Sequence, residues 1–246
     1  MASPRPAGSY GTDAPWVPWL WLGVGVLYVV LAVCGATLWD APVPVVAITS
    51  VIAVLFLLGG WVFWYVTLRG KFVLWDELLA VTPAPRRVLD VGCGRGAVAI
   101  MLAARFPGTH VDGVDLWRSI DQSGNSPEAA QANARENGVS DRLTFTTADM
   151  TDLPFDDAGF DLVTASLSIH NVPSAEGRRK ALSEVWRALE PGGRLLIVDI
   201  GKVREYPAVL AQLGAIELSV RDAGWRGWWS GPWMGTRIIT AGKPLS

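Results

Sequence analysis

The side chains that most often bind metals or act as nucleophiles are scarce in this chain. Its 246 residues include two cysteines, Cys34 and Cys93, and two histidines, His110 and His170. So few cysteines cannot build a disulfide framework, and no pair has zinc-ligand spacing, so no metal is expected. Charge is also thin, at 18 % of residues. A net charge of −2 and a pI near 5.7 leave no basic field to attract nucleic acid. Apolar residues, by contrast, reach 50 %, and mean hydropathy is +0.30. That excludes a disordered chain and exceeds an ordinary soluble enzyme. Thirteen tryptophans are present, unevenly spread.

Charge is missing mainly from two places. Residues 14–39 and 41–68 contain no Asp, Glu, Lys, Arg or His, giving runs of 26 and 28 residues. A membrane-spanning helix needs about 20 apolar residues. Trp16, Trp19 and Trp21 bracket one end of the first run and Trp39 the other, while Trp61, Trp64 and Tyr65 close the second. Such rings favour headgroup depth. The pattern predicts a transmembrane hairpin over 16–68, with spans at about 16–38 and 43–68 and a tight turn at Asp40-Ala41-Pro42. A signal peptide fits poorly, because only Arg5 precedes the run and the run is too long. Positive residues flank the hairpin at Arg5, Arg69 and Lys71, so the N-terminal tail (1–15) and everything after the hairpin are expected in the cytoplasm. The expected location is therefore the cell membrane, multi-pass. Apolar Phe72-Val73-Leu74-Trp75 suggests an interfacial helix or linker over 69–83.

The remaining 178 residues carry 41 charges, about 23 %, an ordinary globular value. They alternate strand and helix signals. Strands are expected at Arg87–Val91, His110–Asp115, Arg142–Thr147, Phe160–Ser166 and Arg194–Ile200, then at Ala215–Arg221 and Thr236–Thr240 with no helix between these last two. Helices are expected from Gly96 to Phe106, from an N-cap at Ser126, and near Arg178–Leu189, the last stopped by Pro191-Gly192-Gly193. The alternation predicts an α/β domain over 84–246, a Rossmann-like, doubly wound, mostly parallel sheet of seven strands.

The sharpest signal is Val88-Leu89-Asp90-Val91-Gly92-Cys93-Gly94-Arg95-Gly96, a strand, glycine loop and helix start. Glycines there let a ligand approach backbone N–H groups. Asp115 follows Gly92 by 23 residues, at the end of the next strand, where a carboxylate can accept ribose hydroxyls. The spacing is G-x-G-x-G, which disfavours a nicotinamide dinucleotide.

VLDVGCGRG resembles the first motif of class I S-adenosylmethionine-dependent methyltransferases, and VDGVD, ending at Asp115, the second. Thr147-Ala148-Asp149-Met150 with Leu153-Pro154-Phe155 resembles the third, FDLVTASLSIHNV (160–172) the fourth and LEPGGRLLIVD (189–199) the fifth. The likeness spans 72–243 and is nearest the type 11 and ubiquinone/menaquinone branches; the hairpin is outside that family's pattern. The resemblance implies S-adenosylmethionine as cofactor, leaving as S-adenosylhomocysteine. It implies contacts from Asp90, Gly92, Cys93, Gly94, Asp115, Leu116, Asp149, Met150 and Ser166, with Cys93 a small loop residue rather than a nucleophile.

His170 and Asn171 follow the fourth strand, where the resemblance puts residues near the transferable methyl. His170 is either a base or a pocket-shaping residue, and Asn171 positions the acceptor. Trp225, Trp228, Trp229 and Trp233 pack a loop core, line an apolar pocket or touch the bilayer. The expected activity is methyl transfer to a small lipophilic acceptor such as a quinone, isoprenoid or lipid-like metabolite. The alternative is a membrane-tethered cofactor-binding module, or a cyclase using the same site without methyl transfer.

Overall fold

The computed structural model describes residues 4–245. Two long helices come first, α1 (Val17–Thr37) and α2 (Val43–Tyr65). Each is long and apolar enough to cross a membrane, and α1, with 21 residues, is about 30 Å long. They pack through small residues. A Cβ added at Gly25 would come 2.8 Å from Leu57 and one at Gly60 3.0 Å from Leu22, whereas Gly23 meets open space. Leu27, Val30, Val33, Ile48, Val51, Leu55 and Leu58 point outward and are exposed.

The chain does not break after α2. A π-helical turn, Val66–Gly70, carries it directly into α3 (Lys71–Ala80). No proline or terminal cap interrupts this stretch. The expected interfacial helix over 69–83 is thus a helix of different character. Phe72, Leu74, Trp75, Leu78 and Leu79 are buried in the domain core, leaving no free apolar face for a bilayer. The tail also departs from expectation, although its first three residues lie outside the described residues. Tyr10 is 1 % exposed and joins the same core cluster, and Ser9 and Thr12 hydrogen-bond to Asn133 and Ser123. The α/β unit therefore begins well before residue 84.

That unit contains β1 (Arg87–Val91), α4 (Ala97–Arg105), β2 (His110–Asp115), α5 (Pro127–Glu136), β3 (Leu143–Thr147), β4 (Phe160–Ser166), α6 (Ala175–Ala188), β5 (Leu189–Asp199), α7 (Tyr206–Gln212), β6 (Ile216–Asp222) and β7 (Arg237–Gly242). The sheet order is β3-β2-β1-β4-β5-β7-β6. β7 runs antiparallel to both neighbours, and the pairings among β1–β5 are parallel. Two buried apolar clusters sandwich the sheet. Ser126 caps α5, accepting from Ala129 N–H at 3.1 Å. β5 begins five residues before the expected Arg194. Leu189 pairs with Phe160 ahead of a register shift, so Pro191-Gly192-Gly193 lies in an irregular strand start while α6 ends at Ala188.

The tryptophan loop between β6 and β7 sits against the base of the hairpin. Trp229 is buried edge-on to Phe63, Trp225 stacks on Tyr65 and Trp233 on Trp21. The backbone carbonyl of Arg226 lies against Gly70, where any side chain would collide with it.

Candidate active site

The site lies at the carboxyl ends of β1, β2 and β4, where parallel sheets of this kind bind ligands. Gly92 has φ +70° and Gly94 φ +52°. A Cβ on Gly92 would run into Ser168, and one on Gly94 would lie 2.6 Å from Gln122 Oε1, so both the turn and the close approach require glycine. Asp115 is held by Gly94 N–H at 2.9 Å, Trp117 N–H at 2.6 Å and Asn125 Nδ2 at 3.1 Å. Loop and acid are thereby fixed to each other.

A cavity of about 1140 Å³, counted with its open mouth, fills this region. All nine residues named from the sequence as cofactor contacts line it: Asp90, Gly92, Cys93, Gly94, Asp115, Leu116, Asp149, Met150 and Ser166. Asn171 lines it too, while His170 is outside its wall. Among the four loop tryptophans none lines it, so the pocket-lining alternative for that loop is not what the structure shows.

Asp90 is fully buried. Thr164 Oγ1 donates to its Oδ1 at 2.7 Å, and Oδ2 has no partner. Burial pushes its carboxyl up to about 7, against the Thr164 hydrogen bond. Burial likewise raises the Cys93 thiol, which suits an inert loop residue. Asp149 is held the other way, because the Thr151 backbone N–H, at 2.8 Å, and its hydroxyl, at 2.9 Å, keep it below the usual carboxylate range.

His170 belongs to a separate network. Its Nδ1 lies 2.5 Å from Asp199 Oδ1, its backbone N–H donates to Oδ2 at 3.1 Å, and Tyr206 OH donates to Oδ2 at 3.1 Å. Burial lowers the imidazole pKa, but the Asp199 carboxylate more than reverses this and the net shift is upward. Asp199, fully buried, ends the fifth motif read from the sequence, yet nothing in its spacing from His170 announced the pairing.

Sequence reasoning missed Asp13, Lys71, Phe72, Trp75, Arg118 and Gln122, which also line the cavity. Asp13 and Lys71 stand on either side of the hairpin, and their meeting depends on how the hairpin docks.

These features fit a nucleoside with a cationic amino-acid tail. Asp115 suits ribose hydroxyls, the glycine loop admits close backbone contact, and the orphaned Asp90 Oδ2 is an acceptor awaiting a donor. Residues 88–193 match the family model described as a methyltransferase domain. That match covers less than half of the chain, and the α/β fold around it is one that solved methyltransferases share. The chain is 37 % identical over 121 residues to a demethylmenaquinone methyltransferase of Thermus thermophilus, covering 49 % of this chain and 50 % of that one. It is 34 % identical over 140 residues to a ubiquinone/menaquinone biosynthesis C-methyltransferase of Brucella anthropi, covering 54 % and 50 %. The chain thus spans about half the length of these curated relatives. A geranyl diphosphate methyltransferase structure shares the fold with TM-score 0.55 at 20 % identity, covering 71 % of this chain and 76 % of that one.

Proposed function

We propose that this protein is a membrane-anchored methyltransferase acting on a small lipophilic acceptor of the quinone, isoprenoid or lipid-like kind, with its α/β domain on the cytoplasmic side. One observation carries the lipophilic part. Leu167, which lines the cavity directly after β4 and has φ +52°, packs into the apolar cluster of Phe63, Val66 and Trp229 at the hairpin base, with Ile200 and Met234. The wall of the cavity therefore packs on the hairpin base, the side from which a membrane-dissolved molecule would arrive. The quinone methyltransferases among the relatives support the same acceptor class.

S-adenosylmethionine, when bound, supplies a sulfonium methyl open to in-line displacement. Asp115 would hold the ribose, Asp149 and Met150 would border the adenine, and Asp90 would take the ammonium on its unpaired oxygen. The chain's contribution is chiefly alignment. Asn171 orients the acceptor at the cavity wall. His170 stands beside Asn171 just outside the cavity wall, braced through Nδ1 by Asp199, and as a base it would have to reach the acceptor's proton with Nε2 from there.

The test uses the full chain in nanodiscs with labelled methyl donor and two quinol acceptors, one with a long isoprenoid tail and one without. The tailed acceptor is expected to turn over at least about tenfold faster. Equal turnover of the tailless, water-soluble acceptor would sink the membrane-entry reading. His170→Ala is expected to lower turnover about 10²–10⁴-fold, with S-adenosylhomocysteine affinity unchanged. Because the His170 pKa is raised, wild-type turnover should climb with pH above the ordinary histidine range. A flat profile from pH 6 to 9, equal in wild type and variant, returns His170 to a structural role.

A further inference from the structure

Asp13 and Lys71 flank the apolar hairpin in sequence, 58 residues apart, and meet at its base, with Lys71 Nζ 2.6 Å from Asp13 Oδ2. Both side chains are largely buried, 10 % exposed for Lys71 and 18 % for Asp13. The Asp13 carboxylate is a junction. Thr67 Oγ1, in the π-helical turn, donates to Oδ2 at 2.7 Å, and Gln122 Nε2 donates to Oδ1 at 3.3 Å. Gln122 Oε1 in turn accepts Arg95 N–H of the glycine loop at 2.9 Å. A continuous set of hydrogen bonds thus joins the end of the second apolar helix to the loop that surrounds the cofactor cavity.

Lys71 is the less satisfied partner. Its ammonium has three N–H donors, and among the described residues one is used in a hydrogen bond, on Asp13, while the Phe72 ring centroid lies 5.4 Å from Nζ. A buried ammonium with spare donors calls for a further acceptor. Lys71, Asp13 and Asp90 border one cavity, and Asp90 Oδ2 in that cavity lacks a donor. A spare cationic donor and a spare anionic acceptor in one cavity match the two ends of a zwitterion, an amino-acid carboxylate and its ammonium.

We propose that Lys71 is a cofactor-binding residue that holds the amino-acid carboxylate of the methyl donor, and that Asp13 is the positioning residue that keeps Lys71 in place. The hairpin is then a built-in part of the cofactor pocket as well as an anchor, because its two ends must meet for the pair to form. This inference rests on the methyltransferase reading and adds to it a residue pair outside the motifs.

The experiment is calorimetric titration of the full chain in detergent micelles with S-adenosylhomocysteine and with methylthioadenosine, which keeps the nucleoside and thioether but has no amino-acid end. Lys71→Met is expected to weaken S-adenosylhomocysteine about 10–100-fold, as for loss of a charge-assisted hydrogen bond, and to leave methylthioadenosine within about twofold. Lys71→Arg should recover much of the loss. Asp13→Asn should weaken S-adenosylhomocysteine alone, and adding it to Lys71→Met should cost nothing further, because Asp13 acts through Lys71. Equal weakening of both ligands, or no weakening, overturns the proposal. If the Lys71 variants do not fold, the wild type decides: decarboxylated S-adenosylhomocysteine should bind about 10–100-fold less tightly than the intact molecule, and equal binding overturns the carboxylate contact. A wild type that binds neither S-adenosylhomocysteine nor methylthioadenosine overturns the methyltransferase reading, and this inference with it.

Discussion

The hairpin and the α/β domain solve opposite solvent problems with the same apolar residues. In the domain, Val, Leu and Ile are driven inward, with Leu89, Val163 and Ile197 wholly buried on one face of the sheet and Val88 and Val111 on the other. In the hairpin the same residue types point outward, with Leu27, Ile48 and Leu55 each more than half exposed. A water-soluble fold rarely displays so broad an apolar surface. The contrast extends to polar groups. The domain buries charged and hydroxyl side chains such as Asp199, Arg178 and Thr164 and pairs them, whereas residues 14–39 and 41–68 carry no charge at all. Burial in the domain tracks distance from water. The hairpin's outward apolar face is what the proposed membrane anchor requires, since a hydrocarbon surrounding removes the cost of exposing it.

The contrast is sharpest where the two regions join, and the largest expected effect lies there. If the segment before α1 is part of the domain, Tyr10→Ala should behave as a core truncation. Its ring is 1 % exposed and packs edge-on against Phe72, with centroids 5.5 Å apart. Losses for large aromatic truncations run to about 3–5 kcal/mol, which for a domain of this size lowers the unfolding temperature by roughly 6–20 °C. A change of only a degree or two in the full chain would make residues 4–15 a loosely laid tail, and the boundary at 84 would stand.

Leu27→Arg probes the other side of the comparison. At an exposed position of a soluble protein, such a change stays within about ±0.5 kcal/mol. At the centre of a membrane span it costs about 2.5–3.5 kcal/mol. Membrane yield and resistance to alkaline carbonate extraction are the readouts. Loss of membrane retention is expected, and unchanged fractionation, with the protein stable and monomeric in water, would remove the anchor.

The two regions were also unequally legible. Strand positions in the domain could be read to within a residue or two at β1, β2 and β4, because short apolar runs, buried on both faces, and glycine punctuation are local signals. The two cavity acids could be read because Asp90 and Asp115 sit at fixed offsets from one glycine loop. The hairpin announced itself through its missing charges. What stayed hidden depends on docking. Asp199 pairs with His170 only because β4 and β5 end side by side. Phe72 and Trp75 look interfacial in sequence because an apolar helical face reads alike whether it meets lipid or protein, and only continuity through the π-helical turn decides which. Pro191-Gly192-Gly193 was misleading for a related reason, since a proline and two glycines signal a helix stop and an irregular strand start equally well.

The smallest effect tests Asp90, which among the described residues is the buried acid with an oxygen lacking any partner. Asp90 ionises near 3.8 in the unfolded chain and at about 7 in the fold, through burial. Between those values the folded protein holds a proton that the unfolded chain has released. Raising the pH through this window therefore withdraws stability from the ligand-free protein, and lowering it restores that stability. Ligand binding should couple to the same proton with the opposite preference. An ammonium placed on Oδ2 favours the ionised form, so binding below about pH 7 must expel the proton, and affinity should fall by up to about tenfold per pH unit, or about 1.4 kcal/mol. Titrating S-adenosylhomocysteine at pH 6 and pH 8, in buffers of different ionisation heat, measures both the loss and the released proton. Asp90→Asn, which cannot ionise, should bind weakly at both values with no proton released. A wild-type affinity that is level across this range, with no proton uptake or release, would mean that Asp90 stays in one protonation state and that its free oxygen does not meet the ammonium. The hairpin offers no such titration, having no ionisable side chain in either uncharged run except Cys34 and the tyrosines Tyr28 and Tyr65, so any pH response of cofactor binding must arise in the domain and at its junction with the hairpin.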